Sequence, residues 1–207
     1  MIAFFIFTGI NFIKMKKILL ITLLLIPFFG FAQTTKPVEG FLGIKFGSSK
    51  LAVITAIKAK GGIIDKAHTT ATQVAFSNVK LGSRDAVGLA VNFINDKAFI
   101  AIFLFKADLD PHTIDYYNEL VSDVNGIYGP GTPTKTFTSG FSDGDGNEVT
   151  AIEGGFADYH TEWDSNTNNT AILATINSGL FVILTYQDNK LRDEADAAKK
   201  SKESSDY

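Results

Sequence analysis

Val91-Asn92-Phe93-Ile94-Asn95-Asp96-Lys97-Ala98-Phe99-Ile100-Ala101-Ile102 is two apolar runs around one polar pair. Asn and Asp tolerate the left-handed backbone that a two-residue hairpin turn demands, so Asn95-Asp96 reads as that turn. On one side, Ala86 to Phe93 is predicted as a strand with Val87, Leu89, Val91 and Phe93 on a single face. On the other, Ala98 to Lys106 is apolar on both faces. A similar passage returns later: Ala174-Thr175-Ile176-Asn177-Ser178-Gly179-Leu180-Phe181-Val182-Ile183-Leu184. It predicts a second hairpin, with strands Thr170 to Asn177 and Leu180 to Gln187 about a Ser178-Gly179 turn.

Outward from these hairpins, each half gains a helix. In the first, Ser48 or Ser49 caps a helix that runs to about Lys60, with Leu51, Val53, Ile54 and Ile57 at helical spacing. Gly61-Gly62 stops it. Gln73 to Leu81 is then a further strand, and Phe41 to Phe46 a brief one upstream. In the second, Asp110-Pro111 opens a helix with an N-cap carboxylate and a proline at the first helical position. Ile114, Tyr117, Leu120, Val121, Val124 and Ile127 form its apolar stripe, and Gly129-Pro130-Gly131 ends it. Lys135 to Phe141 and Glu148 to Glu153 are expected to pair as a hairpin across Ser142 to Asn147. Ala157 to Asp164 alternates as a strand.

The order is helix, three strands, helix, three strands. That predicts an α+β fold in two layers: an antiparallel sheet of about six strands with two helices. A duplicated αβββ unit is a candidate explanation of the two similar hairpins. The expectation is a single domain over residues 33–190, with candidate halves 41–107 and 108–190. Residues 191–207 are charged and nearly free of large apolar side chains, which reads as a frayed helix or flexible tail.

The first 32 residues read differently. Met15-Lys16-Lys17, the apolar run from Ile18, Pro27, and then Gly30 and Ala32 make a secretory signal with cleavage between Ala32 and Gln33. Ile18 to Ala32 is shorter than the roughly 20 residues a spanning helix needs. The basic cluster places the natural start at Met15. Removing Lys14, Lys16 and Lys17, with no acid lost, turns the formal net charge of −3 into −6. An acidic chain with no basic cluster is not built for nucleic acid. The absence of cysteine excludes disulfides, thiolate metal sites, thiol catalysis and lipidation. A periplasmic or secreted, soluble location with no membrane span after cleavage is expected.

Several short stretches carry a resemblance. Phe46-Gly47-Ser48-Ser49, Asn95-Asp96-Lys97, Tyr128-Gly129-Pro130, Leu184 to Leu191 and the Phe31-Ala32-Gln33 junction resemble small exported bacteroidete-type proteins of unknown function. The layout from Phe41 to Leu191 also looks distantly like the tandem helix-plus-sheet proteins of the β-lactamase-inhibitor type and small outer-membrane assembly factors. The lipid-bearing cysteine of the latter is missing here. The resemblance implies a fold and no functional residue.

No catalytic or cofactor-binding residues are assigned. The sequence has no G-x-S-x-G, no phosphate-binding glycine loop and no H-E-x-x-H. Period 2 places Asp158, His160 and Glu162 on one face of the strand Ala157 to Asp164, a weak divalent-metal candidate beside the plainer reading of a wet sheet face. Asp143-Gly144-Asp145-Gly146-Asn147-Glu148 suggests a calcium loop, but from Asp143 the sixth and twelfth positions are Glu148 and Gly154, where that loop needs glycine and glutamate. His68 and His112 read as surface residues. The double-sided strands are the stronger signal. Either a segment such as Thr134 to Gly155 covers the second sheet face, or that face meets a partner. Phe99, Phe103, Phe105 and Phe181 are the candidate interface residues. The expectation is an exported non-enzymatic binding or structural module that uses an apolar sheet face for a protein partner, such as an envelope protein. The alternative is a module for a small ligand or divalent metal, using the His160 face or a cavity on the sheet. A hydrolase with a dispersed site is the weakest.

Overall fold

The computed structural model describes residues 36–165 and 168–205, all within one compact unit. The leader and its Ala32–Gln33 junction lie outside the described residues. The elements in chain order are β1 (Gly40–Phe41), β2 (Ile44–Lys45), α1 (Lys50–Ala59), β3 (Ile63–Asp65), β4 (Gln73–Ser77), β5 (Val79–Leu81), β6 (Arg84–Ala86), β7 (Gly88–Ile94) and β8 (Lys97–Lys106). There follow α2 (Thr113–Tyr128), β9 (Thr132–Phe137), α3 (Glu148–Glu153), β10 (Ala157–Ser165), β11 (Thr170–Ile176), β12 (Phe181–Asp188) and α4 (Asn189–Ser205).

The α+β class with antiparallel sheets is as expected, but the counts are larger. The main sheet has eight strands, in the order β3-β4-β7-β8-β12-β11-β10-β9, where about six were expected. The helices number four among the described residues, where two were expected. The added strands are the two edges, β3 and β9. The added helices are α3 and α4. Glu148 to Glu153 does not pair as a strand: it is α3, and β9 pairs with β10 instead. The predicted strand Gln73 to Leu81 breaks at Asn78, whose φ of 54° turns the chain into the separate β5–β6 ribbon.

The hairpin that decides the fold is present. Asn95 and Asp96 have φ of 49° and 61°, the left-handed pair a two-residue turn needs. A bulge between Asn92 and Phe93 adjusts the register next to it. The later hairpin closes with Asn177, whose Oδ1 accepts from the backbone N–H groups of Gly179 and Phe181, both at 3.0 Å. The two hairpins correspond by position. Val91 pairs with Ala101 and Ala174 with Leu184, and one shift along the chain maps the first pair onto the second. At the centre of the sheet β8 pairs antiparallel with β12, and Ile102 faces Thr185, two positions related by the same shift.

Ser49 caps α1, its side chain accepting from the Ala52 N–H at 3.3 Å. The backbone N–H of Gly61 and Gly62 return to the carbonyls of Lys58 and Ile57 and close its far end. The start of α2 differs from expectation. Asp110–His112 forms a 3-10 turn before the helix, and the Asp110 carboxylate pairs with Lys106 Nζ at 2.8 Å instead of capping. Tyr117, Leu120 and Val124 bury the α2 stripe against the sheet, while Ile127 remains 53% exposed. Together α1, α2 and α3 contribute Val53, Ile57, Tyr117, Leu120, Val124 and Ile152 to one core with Phe76, Phe103, Phe105, Tyr159, Trp163 and Tyr186 of the strands.

The second face of the sheet is crossed by α4, which contacts β7, β8, β11 and β12. This segment was expected as a frayed helix or flexible tail, and the cover was expected from Thr134 to Gly155. That stretch supplies β9 and α3 instead, and Ile152 of α3 joins the core. Asp188 starts α4 by accepting from the Leu191 N–H at 2.9 Å. Leu191, Arg192 and Ala195 are half-buried, and every residue from Asp196 to Ser204 is exposed.

Candidate functional site

The alternation of β8 decides which expected residues reach a surface. Phe103 and Phe105 lie on the helix-covered side with no exposed area, and both belong to the core. Phe99 is the residue the β7–β8 register passes over, between Ala98 opposite Phe93 and Ile100 opposite Asn92; it is only 8% exposed but stands outside that core cluster. None of the three presents appreciable surface to a partner, which corrects the expected interface. Both faces of the strand are apolar, so alternation alone could not say which one the helices take. Phe105 packs on Tyr116 of α2 at 6.1 Å between ring centroids. Phe181 is on the other side with Ile100, Ile102, Leu104 and Ile183, and Lys106 Nζ lies 5.1 Å from its ring centroid.

On β10, Asp158, His160 and Glu162 do share one side. His160 Nδ1 lies 2.8 Å from Asp158 Oδ2, and the nearest cross-strand neighbours of His160 are Thr134 and Thr175. No carboxylate comes from a second strand at those positions. Among the described residues no group of three or more His, Asp or Glu is placed to hold a metal ion. The Asp143–Glu148 loop spends its carboxylates on itself. Asp145 accepts from the N–H groups of Ser142 and Asn147, Glu148 accepts from Gly144, and Asp143 pairs with Lys135. His68 makes a surface pair with Asp65 at 2.6 Å.

The concave feature lies on the helix-bearing side. The chain enters along Lys36 to Phe41, held by Thr170 Oγ1 donating to the Val38 carbonyl at 2.8 Å. It turns back in the β1–β2 ribbon, where Gly40 has no room for a Cβ against the Ile44 carbonyl. The β5–β6 ribbon stands opposite, fixed by Arg84. That guanidinium lies 2.8 Å from Asp123 and 3.6 Å from Glu119 of α2, and 4.9 Å from the Tyr116 ring centroid. Its side chain is only 16% exposed. Its Nε and Nη2 both reach Asp123 Oδ2, and a half-enclosed contact of this kind with a stacked ring is stronger than a typical surface pair.

Between these ribbons and the C-terminal half of α2 runs a groove. One part, of 520 Å³, is bordered by Leu42, Ile44, Leu81, Ile127, Tyr128 and Tyr186, with Lys36, Glu39 and Lys45 at its rim. The adjoining part, of 360 Å³, shares Leu81, Gly82, Ile127 and Tyr186, and adds Arg84, Leu120, Asp123 and Val124. Volumes of this order suit small-molecule sites. The floor is Tyr186, inward-facing on β12 and packed edge-on against both Phe103 and Tyr128. Burial pushes the Tyr128 and Tyr186 phenols above the ordinary tyrosine value, and the neighbouring Tyr128 raises Tyr186 further. Both therefore keep their protons near neutral pH.

No local pattern in the sequence marks this groove: Ile127 lies on the helical stripe, and Tyr128 and Tyr186 fall within short motifs. The nearest signal is the last stripe position, Ile127, followed at once by a tyrosine at the helix end. No known protein family, curated protein or solved structure matches the chain.

Proposed function

We propose that this chain is an exported, non-enzymatic binding module whose site is the groove between α2 and the two small ribbons, taking a small, mostly apolar molecule. The observation that carries this is the groove itself. Its aromatic floor and aliphatic walls are held by a rigid eight-stranded sheet, and one polar point, the Tyr128–Tyr186 pair, lies on its floor. Apolar lining with few polar groups is the usual composition of a ligand pocket. Export follows from the leader sequence and the small residues before Gln33. The helix-and-four-strand order of each half, and the correspondence at Ile102–Thr185, support a duplicated unit with the groove beside the join. The test is native mass spectrometry of the exported chain from producing cells, beside Ile127→Trp, which fills the groove. An extra small mass in wild type, lost in the variant, is expected. Equal spectra from both would end the proposal.

A protein partner on the second sheet face is the other reading. It is favoured by one observation: Ile100, Ile102, Leu104, Phe181 and Ile183 are only half-buried beneath a helix that offers Leu191, Arg192 and Ala195. A chain ending at Asp188 should then capture an envelope protein that the full chain captures less well.

A further inference from the structure

We infer that the groove takes a single-chain aliphatic monocarboxylate, its chain along α2 and its carboxylate at the Tyr128 end. This rests on the groove being the binding site and assigns the class of its ligand. Two features set that class. The first is an end without free positive charge. In the part beside α2, Leu81, Leu120, Val124 and Ile127 supply apolar wall, and the one cation there, Arg84, is taken by Asp123 at 2.8 Å and Glu119 at 3.6 Å. A ligand chain entering this part meets no unpaired cation and loses water from its apolar surface.

The second is the balance at the opposite end. Lys36 and Lys45 border the larger part with one carboxylate, Glu39, which lies 3.7 Å from Lys45. Two cations against one anion leave that rim one positive charge in excess. The chain as a whole is acidic, but its distant charges are screened beyond about 8 Å at physiological salt, so the rim decides what the groove attracts.

A carboxylate placed at that rim meets the excess positive charge, an ammonium is repelled by it, and an alcohol carries no charge for it to act on.

The test is isothermal titration of the exported chain with dodecanoate, dodecylammonium and dodecanol, the two ionic probes below their micellar concentrations and dodecanol below its solubility limit. Dodecanoate should bind at least about tenfold more tightly than dodecylammonium. The double substitution Lys36→Glu, Lys45→Glu should weaken dodecanoate by about tenfold or more and narrow or reverse that preference. Ile127→Trp should remove dodecanoate binding while circular dichroism and the melting temperature stay as in wild type. If all three probes bind alike, or the ammonium binds best, and Ile127→Trp blocks them, the carboxylate assignment is overturned and the groove remains the site. If dodecanoate does not bind, or binds Ile127→Trp as well as wild type, while the other probes bind wild type and not the variant, the assignment alone falls. If no probe depends on Ile127, both the assignment and the groove reading fall.

Discussion

The two faces of the central sheet are made from the same strands, yet they are covered in different ways. On the helix-bearing side, β8 and β12 place Phe103, Phe105, Leu184 and Tyr186 under α2, with none of them more than 5% exposed. On the other side the next residues along the same strands, Ile102, Leu104 and Ile183, are half-buried beneath α4. The side chains are equally apolar; the covering helices are not. The α2 helix contributes Tyr117, Leu120 and Val124 to the core, whereas α4 offers two half-buried aliphatic residues and a run of charge. Burial is thus set by the partner helix as much as by the strand. The strongly closed face is also the one that can support a shaped groove at its margin, because a rigid floor holds Tyr186 in place.

That asymmetry is easiest to break with single truncations on adjacent residues of β8. Phe103→Ala should cost about 3–5 kcal/mol in urea unfolding, through lost burial and the cavity left behind. Leu104→Ala, one residue on, should cost about 1–2 kcal/mol, since part of its surface is already wet. Equal losses would show that α4 closes its face as firmly as α2 closes the other.

An alkaline titration sharpens the same contrast, because the buried phenols belong to the helix-bearing face. Burial, with added repulsion from Asp143, Glu148 and Asp145, raises the Tyr159 phenol to about 12. The folded state then holds this proton above pH 10, where the unfolded chain has released it. Stability from this group is complete below pH 10 and is lost as pH rises toward 12. The loss should be about 1–2 kcal/mol once solvent screening at the hydroxyl is allowed for. Tyr186 adds to the same slope, in the same direction, through its own raised phenol. Tyr159→Phe should flatten the decline in urea midpoint between pH 10 and 12; an unchanged decline would assign it elsewhere.

What the sequence made legible follows from how local each signal is. The hairpins could be read because Asn95-Asp96 and the alternation around it act within a few residues. The edge strand β9 could be read only at its Lys135 to Phe137 end and with the wrong partner, since Thr132, Pro133, Thr134 and Thr136 carry the polar, proline-containing character of an edge and no apolar period. The α3 helix is six residues with Val149, Ala151 and Ile152, too short for helical spacing to differ from a strand's. The α4 helix has no apolar stripe and is helical through propensity and its Asp188 start. The face taken by Phe103 depended on where α2 docks, and the groove joins four segments far apart in sequence. Neither is a local property. The His160 row was legible as a row, but only the structure gives its cross-strand neighbours as threonines.

A weaker perturbation tests the cover directly. Leu191→Ala removes the larger of the two aliphatic contacts made by α4 and should cost about 1 kcal/mol or less, because Leu191 is only half-buried. Dye binding to apolar surface should rise while the sheet's circular dichroism is kept. A loss comparable to that of Phe103→Ala would mean that α4 is an integral part of the core.

The smallest effect is expected on the wet margin of the same face. His160 and Asp158 form a partly exposed pair at 2.8 Å, and pairs of that kind contribute about 0.2–1 kcal/mol. Among the described residues no third ligand converges there, so they offer zinc too few donors for the four-coordinate site it prefers. Thermal unfolding with added zinc should therefore match that without it. A rise in melting temperature that disappears in His160→Ala would restore the row as a metal site. It would also make this face, despite its thin cover, a functional one.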